Sequence, residues 1–275
     1  MLVSGNKFLS NSPSPNTKRA IVPDVKFYDA LSTSYRSAFS QNPGLHQIIQ
    51  KILAELPPSS NVLDIGCGAG NAILTTMVNH GHQVTGIDLS QDMLELCEKQ
   101  VPDGNFEQTN MLEWKPKDKA GVNAIFAMFS MFSLSRADMG TMASRIREWL
   151  SPNGIICIGT IAAEDLETTP EMFDATGQCT SGIGMKFMGS KCESMTTFTK
   201  EGWKAVLKEA GFEIFYTQSN LFVPTVGSNV ETNDEMHYFI MARKIHQGRK
   251  LPSISKHLEG RAAPMRIRIM RLRDN

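Results

Sequence analysis

Three groups of residues have the types and the spacing to do chemistry. The first is Asp64-Ile65-Gly66-Cys67-Gly68-Ala69-Gly70, which follows a short apolar run. Glycines in such a turn accept positive φ and let the backbone come close to a ligand. A helix beginning just after them presents N–H groups that have no partner within the helix. The second group is Asp88, at the end of the next apolar run, where a carboxylate can accept from both hydroxyls of a ribose. The dinucleotide fingerprint G-x-G-x-x-G would need glycine at position 71, and the chain has Asn71. A carboxylate beside the turn also disfavours a pyrophosphate and suits an ammonium group. These features point to a nucleoside that carries an amino acid and a positive charge; the alternative is a tight turn with no ligand. The third group is Glu235-Met236-His237, opening the last apolar run. His237 is the leading general base, because imidazole titrates near neutral pH, and Glu235 is the second choice. A purely structural His237, packed under the loop before it, is the competing reading. His46, His80 and His82 are expected on solvated surface positions, and His246 and His257 belong to the C-terminal tail.

Alternating strand and helix signals must position these groups. Leu45, Ile48, Ile49, Ile52, Leu53 and Leu56 repeat at helical spacing after Asn42-Pro43, and Pro57-Pro58 ends the helix. Asn61–Ile65 reads as a buried strand, the region near 71–79 as a helix, and Gln83–Leu89 as a second strand. Ser90 is placed to cap the helix carrying Met93, Leu94 and Cys97. Asn105–Thr109 and Val122–Met128 are the third and fourth strands. A helix follows with Met139, Met142, Ile146 and Trp149 on one face. Ser151-Pro152-Asn153-Gly154 is a turn into the fifth strand, Ile155–Ile161. Thr199 caps a helix with Trp203, Val206 and Leu207 inward, and Phe212–Gln218 and Glu235–Ala242 close the sheet. The expected fold is therefore α/β, a Rossmann-like doubly wound seven-stranded sheet, mostly parallel with an antiparallel last strand. Residues 162–198 show no clear period, and residues 219–234 form a long connection; both are expected to wall a pocket.

On these residues the chain resembles the class I S-adenosylmethionine-dependent methyltransferases, and more narrowly the fungal small-molecule methyltransferases of specialised metabolism. The resemblance covers about residues 24–244. It rests on Val62–Gly70, Gly86-Ile87-Asp88-Leu89-Ser90, Leu150–Gly154, Phe187-Met188-Gly189, Phe198–Trp203 and Ala210-Gly211-Phe212. It implies S-adenosyl-L-methionine as cofactor. Asp64, Gly66 and Gly68, in a turn completed by Cys67 and Gly70, would hold the methionine moiety, and Asp88 the ribose. Leu89 and Met93 would pack on the adenine, with Asn110 and Met111 at its edge. Ala127 and Met128 would complete the cofactor set. Tyr28 and Tyr35 resemble aromatic residues that close over the cofactor. Many relatives carry Asp at the place of Asn110, and relatives often have histidine at the place of Ser133, which removes one candidate base. The activity implied is methyl transfer to a small, largely apolar organic acceptor, with O-methylation ahead of N-, C- or S-methylation. A cofactor-binding protein without methyl transfer and a ubiquinone-type C-methyltransferase are the alternatives.

Composition narrows the partners. With 28 basic and 28 acidic residues the chain has zero formal charge, so nothing global argues for nucleic acid. No apolar run is long enough to span a membrane. Five scattered cysteines without a C-x-x-C pair argue against a disulfide framework or a zinc site and fit a reducing compartment. The expected location is cytoplasmic; Lys7, Lys18 and Arg19 with several serines and no acid faintly echo a mitochondrial leader. Residues 1–23 read as a disordered tail. From residue 245 onward eight basic residues stand against two acidic ones, which reads as a basic, poorly ordered tail. The partner expected is a small-molecule acceptor, and the chain a monomer or a homodimer.

Overall fold

The computed structural model describes residue 38 and residues 42–70, 72–117, 121–227 and 229–245, with backbone only at 190–194. Tyr28, Tyr35, the expected N-terminal tail and residues 246–275 of the expected C-terminal tail lie outside the described residues. In chain order the elements are α1 (Pro43–Glu55), β1 (Asn61–Ile65), α2 (Ala72–Asn79), β2 (Gln83–Asp88) and α3 (Gln91–Gln100). Then come β3 (Asn105–Gln108), β4 (Val122–Met128), α4 (Arg136–Trp149) and β5 (Leu150–Ile161). β6 (Cys179–Phe187), β7 (Ser190–Phe198), α5 (Lys200–Glu209), β8 (Phe212–Phe222) and β9 (Glu235–Lys244) complete the chain.

Seven strands form one sheet in the order β3-β2-β1-β4-β5-β9-β8. β1 to β5 pair in parallel, and β9 runs antiparallel between β5 and β8. The sheet is buried on both faces, as parallel strands joined by helices require. Leu63, Ile65, Ile125, Ile156 and Ile158 pack with Met139, Ile146, Trp203 and Leu207 on one face. Val62, Val84, Phe126, Ile155 and Met241 pack with Ile48, Ile52, Leu74 and Leu94 on the other. Strand order reverses between β1 and β4, so the crevice at their carboxyl ends is where this architecture holds a ligand.

The helices start where their sequences provide caps. Asn42 accepts from Leu45 N–H with Pro43 in the first turn. Ser90, Ser135 and Thr199 accept from the N–H groups of Met93, Asp138 and Gly202. Each such cap contributes about 1 kcal/mol.

Four expectations change. Residues 162–198 contain a hairpin, β6–β7, whose register breaks between Thr180 and Ile183 and again before Met185, erasing strict alternation. Its two-residue turn, Met188-Gly189, has positive φ at both positions (51° and 80°), a geometry usually signalled by Asn-Gly. β8 continues to Phe222 because its polar stretch Thr217–Asn220 still pairs with β9, which shortens the following loop. The Ser151–Gly154 turn is a bulge inside β5, where Val122 pairs with Leu150 but Ala124 with Ile155. His82 is buried rather than solvated: its Nδ1 accepts the Ser60 N–H at 3.1 Å, and desolvation, followed by nearby His80, lowers its pKa.

Candidate cofactor and acceptor site

The glycine turn is built as a bridge between β1 and β2. Gly66 and Cys67 both donate their N–H to the carbonyl of Ile87, at 2.8 and 3.1 Å. Asp88 then grips the turn from the end of β2: Oδ2 accepts from Gly68 N–H and Oδ1 from Ser90 N–H, both at 2.9 Å. Gly66 (φ +71°) lies against Ser130, just past β4, and a methyl group at Gly66 would run into Ser130 Cβ. Gly68 (φ +56°) is the reverse case, since a methyl group there would have no heavy atom within 4 Å among the described residues. The turn thus keeps an open cradle above a tightly packed base.

Asp64 is fully buried on β1 beneath this turn. Cys67 is buried too, and its thiol is held well above the ordinary range by hydrogen bonding to Cys97, then by burial and the charge of Asp64. It therefore lines the turn as a neutral group. Leu89 is half-buried and Met93 buried, both following Asp88 at the start of α3. Asn110 is half-buried, and its Oδ1 already accepts from Leu112 N–H at 2.9 Å in a local turn. Met111 packs partly on the core, while Ala127 and Met128 are buried within β4 on opposite faces of the sheet.

A second group of side chains is organised around His237. This ring is 0% exposed, at the carboxyl ends of β5 and β8, where His237 faces Ile161 and Asn220. Its Nδ1 lies 2.8 Å from Asn42 Nδ2, and its Nε2 lies 2.6 Å from Glu235 Oε2. The orientation of the Asn42 amide is set, because its oxygen accepts from Leu45 N–H at 3.1 Å. Asn42 Nδ2 is therefore a donor, His237 Nδ1 accepts, and the ring proton sits on Nε2 and is donated to Glu235. Both ring nitrogens are engaged by protein groups. Phe129 and Phe222 flank the ring at centroid distances of 4.2 and 5.0 Å. Phe129 itself has φ 55°, a left-handed conformation rarely adopted by a bulky residue. Strained backbone of this kind gathers at functional sites.

Contacts run unbroken from the glycine turn through Ser130 and Phe129 to His237 and Glu235. Among the residues expected to wall a pocket, Phe222 joins this cluster, Met188 is buried, Met172, Phe173, Met185 and Phe187 are half-buried, and Val223 is exposed. Asn42, Phe129 and Ser130 were not expected here. The Asn-Pro pair signals Asn42 as a helix cap but not as a partner to a residue 195 positions away. Nothing in the local sequence signals the conformation of Phe129.

Residues 62–154 match the family model described as "Methyltransferase domain". A trans-aconitate 2-methyltransferase of Agrobacterium fabrum is 27% identical over 135 residues, covering 49% of this chain and 46% of the relative. A dTDP-3-amino-3,4,6-trideoxy-alpha-D-glucopyranose N,N-dimethyltransferase of Streptomyces venezuelae is 26% identical, covering 40% of this chain and 46% of the relative. The chain spans about half the length of these curated relatives. The crystal structure of the Burkholderia thailandensis 1,6-didemethyltoxoflavin-N1-methyltransferase, with bound 1,6-didemethyltoxoflavin and S-adenosylhomocysteine, superposes with a TM-score of 0.56 at 18% identity, over 81% of this chain and 87% of that one. At that identity the likeness speaks for the fold alone. Over residues 62–154 the chain is thus similar to methyltransferase domains, and its sheet is that of the solved methyltransferase fold. These three relatives are bacterial and do not carry the narrower fungal resemblance.

The residues present fit S-adenosylmethionine. The cradle over Gly68 is open, the Asp88 carboxylate stands at the end of β2 beside it, and the buried Ser130 Oγ beside Gly66 has no hydrogen-bond partner among the described residues. No helix among the described residues is long and apolar enough to cross a membrane.

Proposed function

We propose that the chain transfers a methyl group from S-adenosylmethionine to a small, largely apolar organic acceptor, with oxygen as the methylated atom. The observation that carries this reading is the open glycine cradle gripped by Asp88 through the N–H groups of Gly68 and Ser90. When bound, the cofactor supplies a methyl group already activated by its sulfonium. The chain's task is then to position and to exclude water. Alignment of this kind contributes about 7–11 kcal/mol in favourable cases.

Asp64 and the turn Gly66–Gly70 hold the methionine end, Asp88 orients the ribose, and Leu89 and Met93 cover the adenine. Asn110 and Met111 border the adenine, and Ala127 and Met128 back the site. Phe129, Phe132 and Phe222 offer an apolar wall to the acceptor, with Met185 and Phe187 beyond. We assign the chain to specialised metabolism of the fungal small-molecule type, acting in the cytoplasm as a monomer or homodimer. The four described cysteines are unbridged, which suits a reducing compartment.

Titration calorimetry with S-adenosylmethionine tests the cofactor, with a nicotinamide dinucleotide as control. S-adenosylhomocysteine release with phenols, amines and polyketides then tests transfer. Binding of the first ligand alone, with release on phenols, is the expected result. Binding of neither ligand refutes the reading. A second reading, cofactor binding without transfer, is favoured by the engagement of both His237 nitrogens. Tight cofactor binding with no release on any acceptor would select it.

A further inference from the structure

We propose that Glu235, held by an Asn42–His237 relay, is the residue that recognises the acceptor, and that it selects molecules offering a hydroxyl or amino hydrogen-bond donor on an apolar frame. This deepens the methyltransferase reading and rests on it.

The Glu235 carboxylate is in an unusual state. Glu235 is 4% exposed, and its Oε1 is buried with no hydrogen-bond partner among the described residues. Its Oε2 is taken by His237 Nε2–H at 2.6 Å. A buried carboxylate oxygen left without a donor is costly, and such groups in native proteins call for a specific explanation. His237 is the only side chain found paired with Glu235 among the described residues, through a ring whose proton points at Oε2.

The ring is held in place. Asn42 Nδ2 holds Nδ1 at 2.8 Å, and Asn42 is itself locked as the cap of α1. Phe129 and Phe222 clamp the ring on either side. The cap of one helix thus fixes the tautomer of a histidine, which fixes the rotamer of a glutamate. The group left with acceptor capacity is Oε1 and not the imidazole, which reverses the order of candidates read from residue type alone. His237 and Asn42 are positioning residues.

Placement supplies the ligand. Phe129 contacts His237 and immediately precedes Ser130, which lies against Gly66 of the cofactor turn. Glu235 is thus joined to the glycine turn through His237, Phe129 and Ser130, among aromatic rings. A molecule lying there meets apolar surface and one acceptor atom. A donor on that molecule satisfies Oε1, and an ether or hydrocarbon at the same place leaves it unsatisfied. Sites that bury a polar group discriminate strongly against ligands lacking its partner.

The test uses the full chain saturated with S-adenosylhomocysteine, and three probes: phenol, aniline and anisole. Phenol or aniline should bind at least fivefold more tightly than anisole; a lead of phenol over aniline assigns a hydroxyl, and the converse an amine. In Glu235→Gln the amide oxygen still accepts from His237, which turns the NH2 group toward the ligand. That variant should lose or invert the preference while its S-adenosylhomocysteine affinity stays within twofold. Asn42→Asp keeps the helix cap but replaces the donor on Nδ1 with an acceptor. Nitrogen-15 spectra should show His237 as the Nε2–H tautomer in the parent chain and protonated on Nδ1 in this variant, with the phenol preference reduced. No preference in the parent chain, or an unaltered one in Glu235→Gln, overturns the inference. A parent chain that fails to bind S-adenosylhomocysteine refutes the methyltransferase reading, and this one with it.

Discussion

Two glycines four residues from Asp64 or nearer make opposite demands, and replacing each by alanine separates folding from ligand binding. At Gly66 the backbone has φ +71° and a methyl group meets Ser130 Cβ. Left-handed backbone costs a residue with a side chain about 1–2 kcal/mol, and overpacking adds about 1–3 kcal/mol. Gly66→Ala should therefore destabilise the fold by roughly 2–5 kcal/mol. At Gly68 the backbone has φ +56°, and no heavy atom among the described residues lies within 4 Å of the added methyl. Only the backbone strain applies, so Gly68→Ala should cost about 1–2 kcal/mol. Its methyl group, however, fills the cradle proposed for the methionine moiety. Affinity for S-adenosylhomocysteine should fall at least tenfold, about 1.4 kcal/mol. Urea unfolding measures the first quantity and titration calorimetry the second. Equal destabilisation by the two variants would contradict the packing argument. Unchanged affinity in Gly68→Ala would remove the cradle from the cofactor site.

Three further outcomes are expected. Asp88→Ala removes the acceptor for Gly68 and Ser90 N–H, so cofactor affinity should drop more than tenfold, and calorimetry showing no change would detach Asp88 from the site. Ser59 is exposed with φ 55°, so Ser59→Gly should relieve strain and raise stability by about 0.5–1 kcal/mol in urea unfolding; a loss would show that the residue makes a compensating contact. Burial, then Asp174, pushes the Cys179 thiol from its ordinary value near 9 up to about 11. The unfolded thiol ionises first as pH rises, so the urea midpoint should fall between about pH 9 and 11, and Cys179→Ala should flatten part of that slope. A midpoint constant over this range would refute the assignment.

Much of the architecture was legible in local patterns. β1, β2 and β4 are short apolar runs, and the helices begin at Asn42, Ser90 and Thr199, each a residue that caps by its own chemistry. The glycine turn and Asp88 were legible for the same reason, since a sharp strand-to-helix turn and an acid one strand later leave a signature within a few dozen residues. The β6–β7 hairpin was hidden because two register breaks spoil its alternation and Met188 occupies a turn position where asparagine is usual. The full length of β8 was hidden by polar residues that still pair with β9.

The side proposed for the acceptor was only half visible. Glu235 and His237 share a strand and were found together by residue type. Their relation was decided by Asn42, which reaches His237 from the start of α1, and by Phe129 and Phe222, which arrive from the ends of two other strands. Sequence by itself determines what is set by neighbours along the chain: propensity, capping, turn chemistry and the period of burial. Which nitrogen of His237 carries the proton, and which oxygen of Glu235 is left without a partner, depends on groups far apart in sequence. Only packing of the complete sheet brings them within hydrogen-bonding distance.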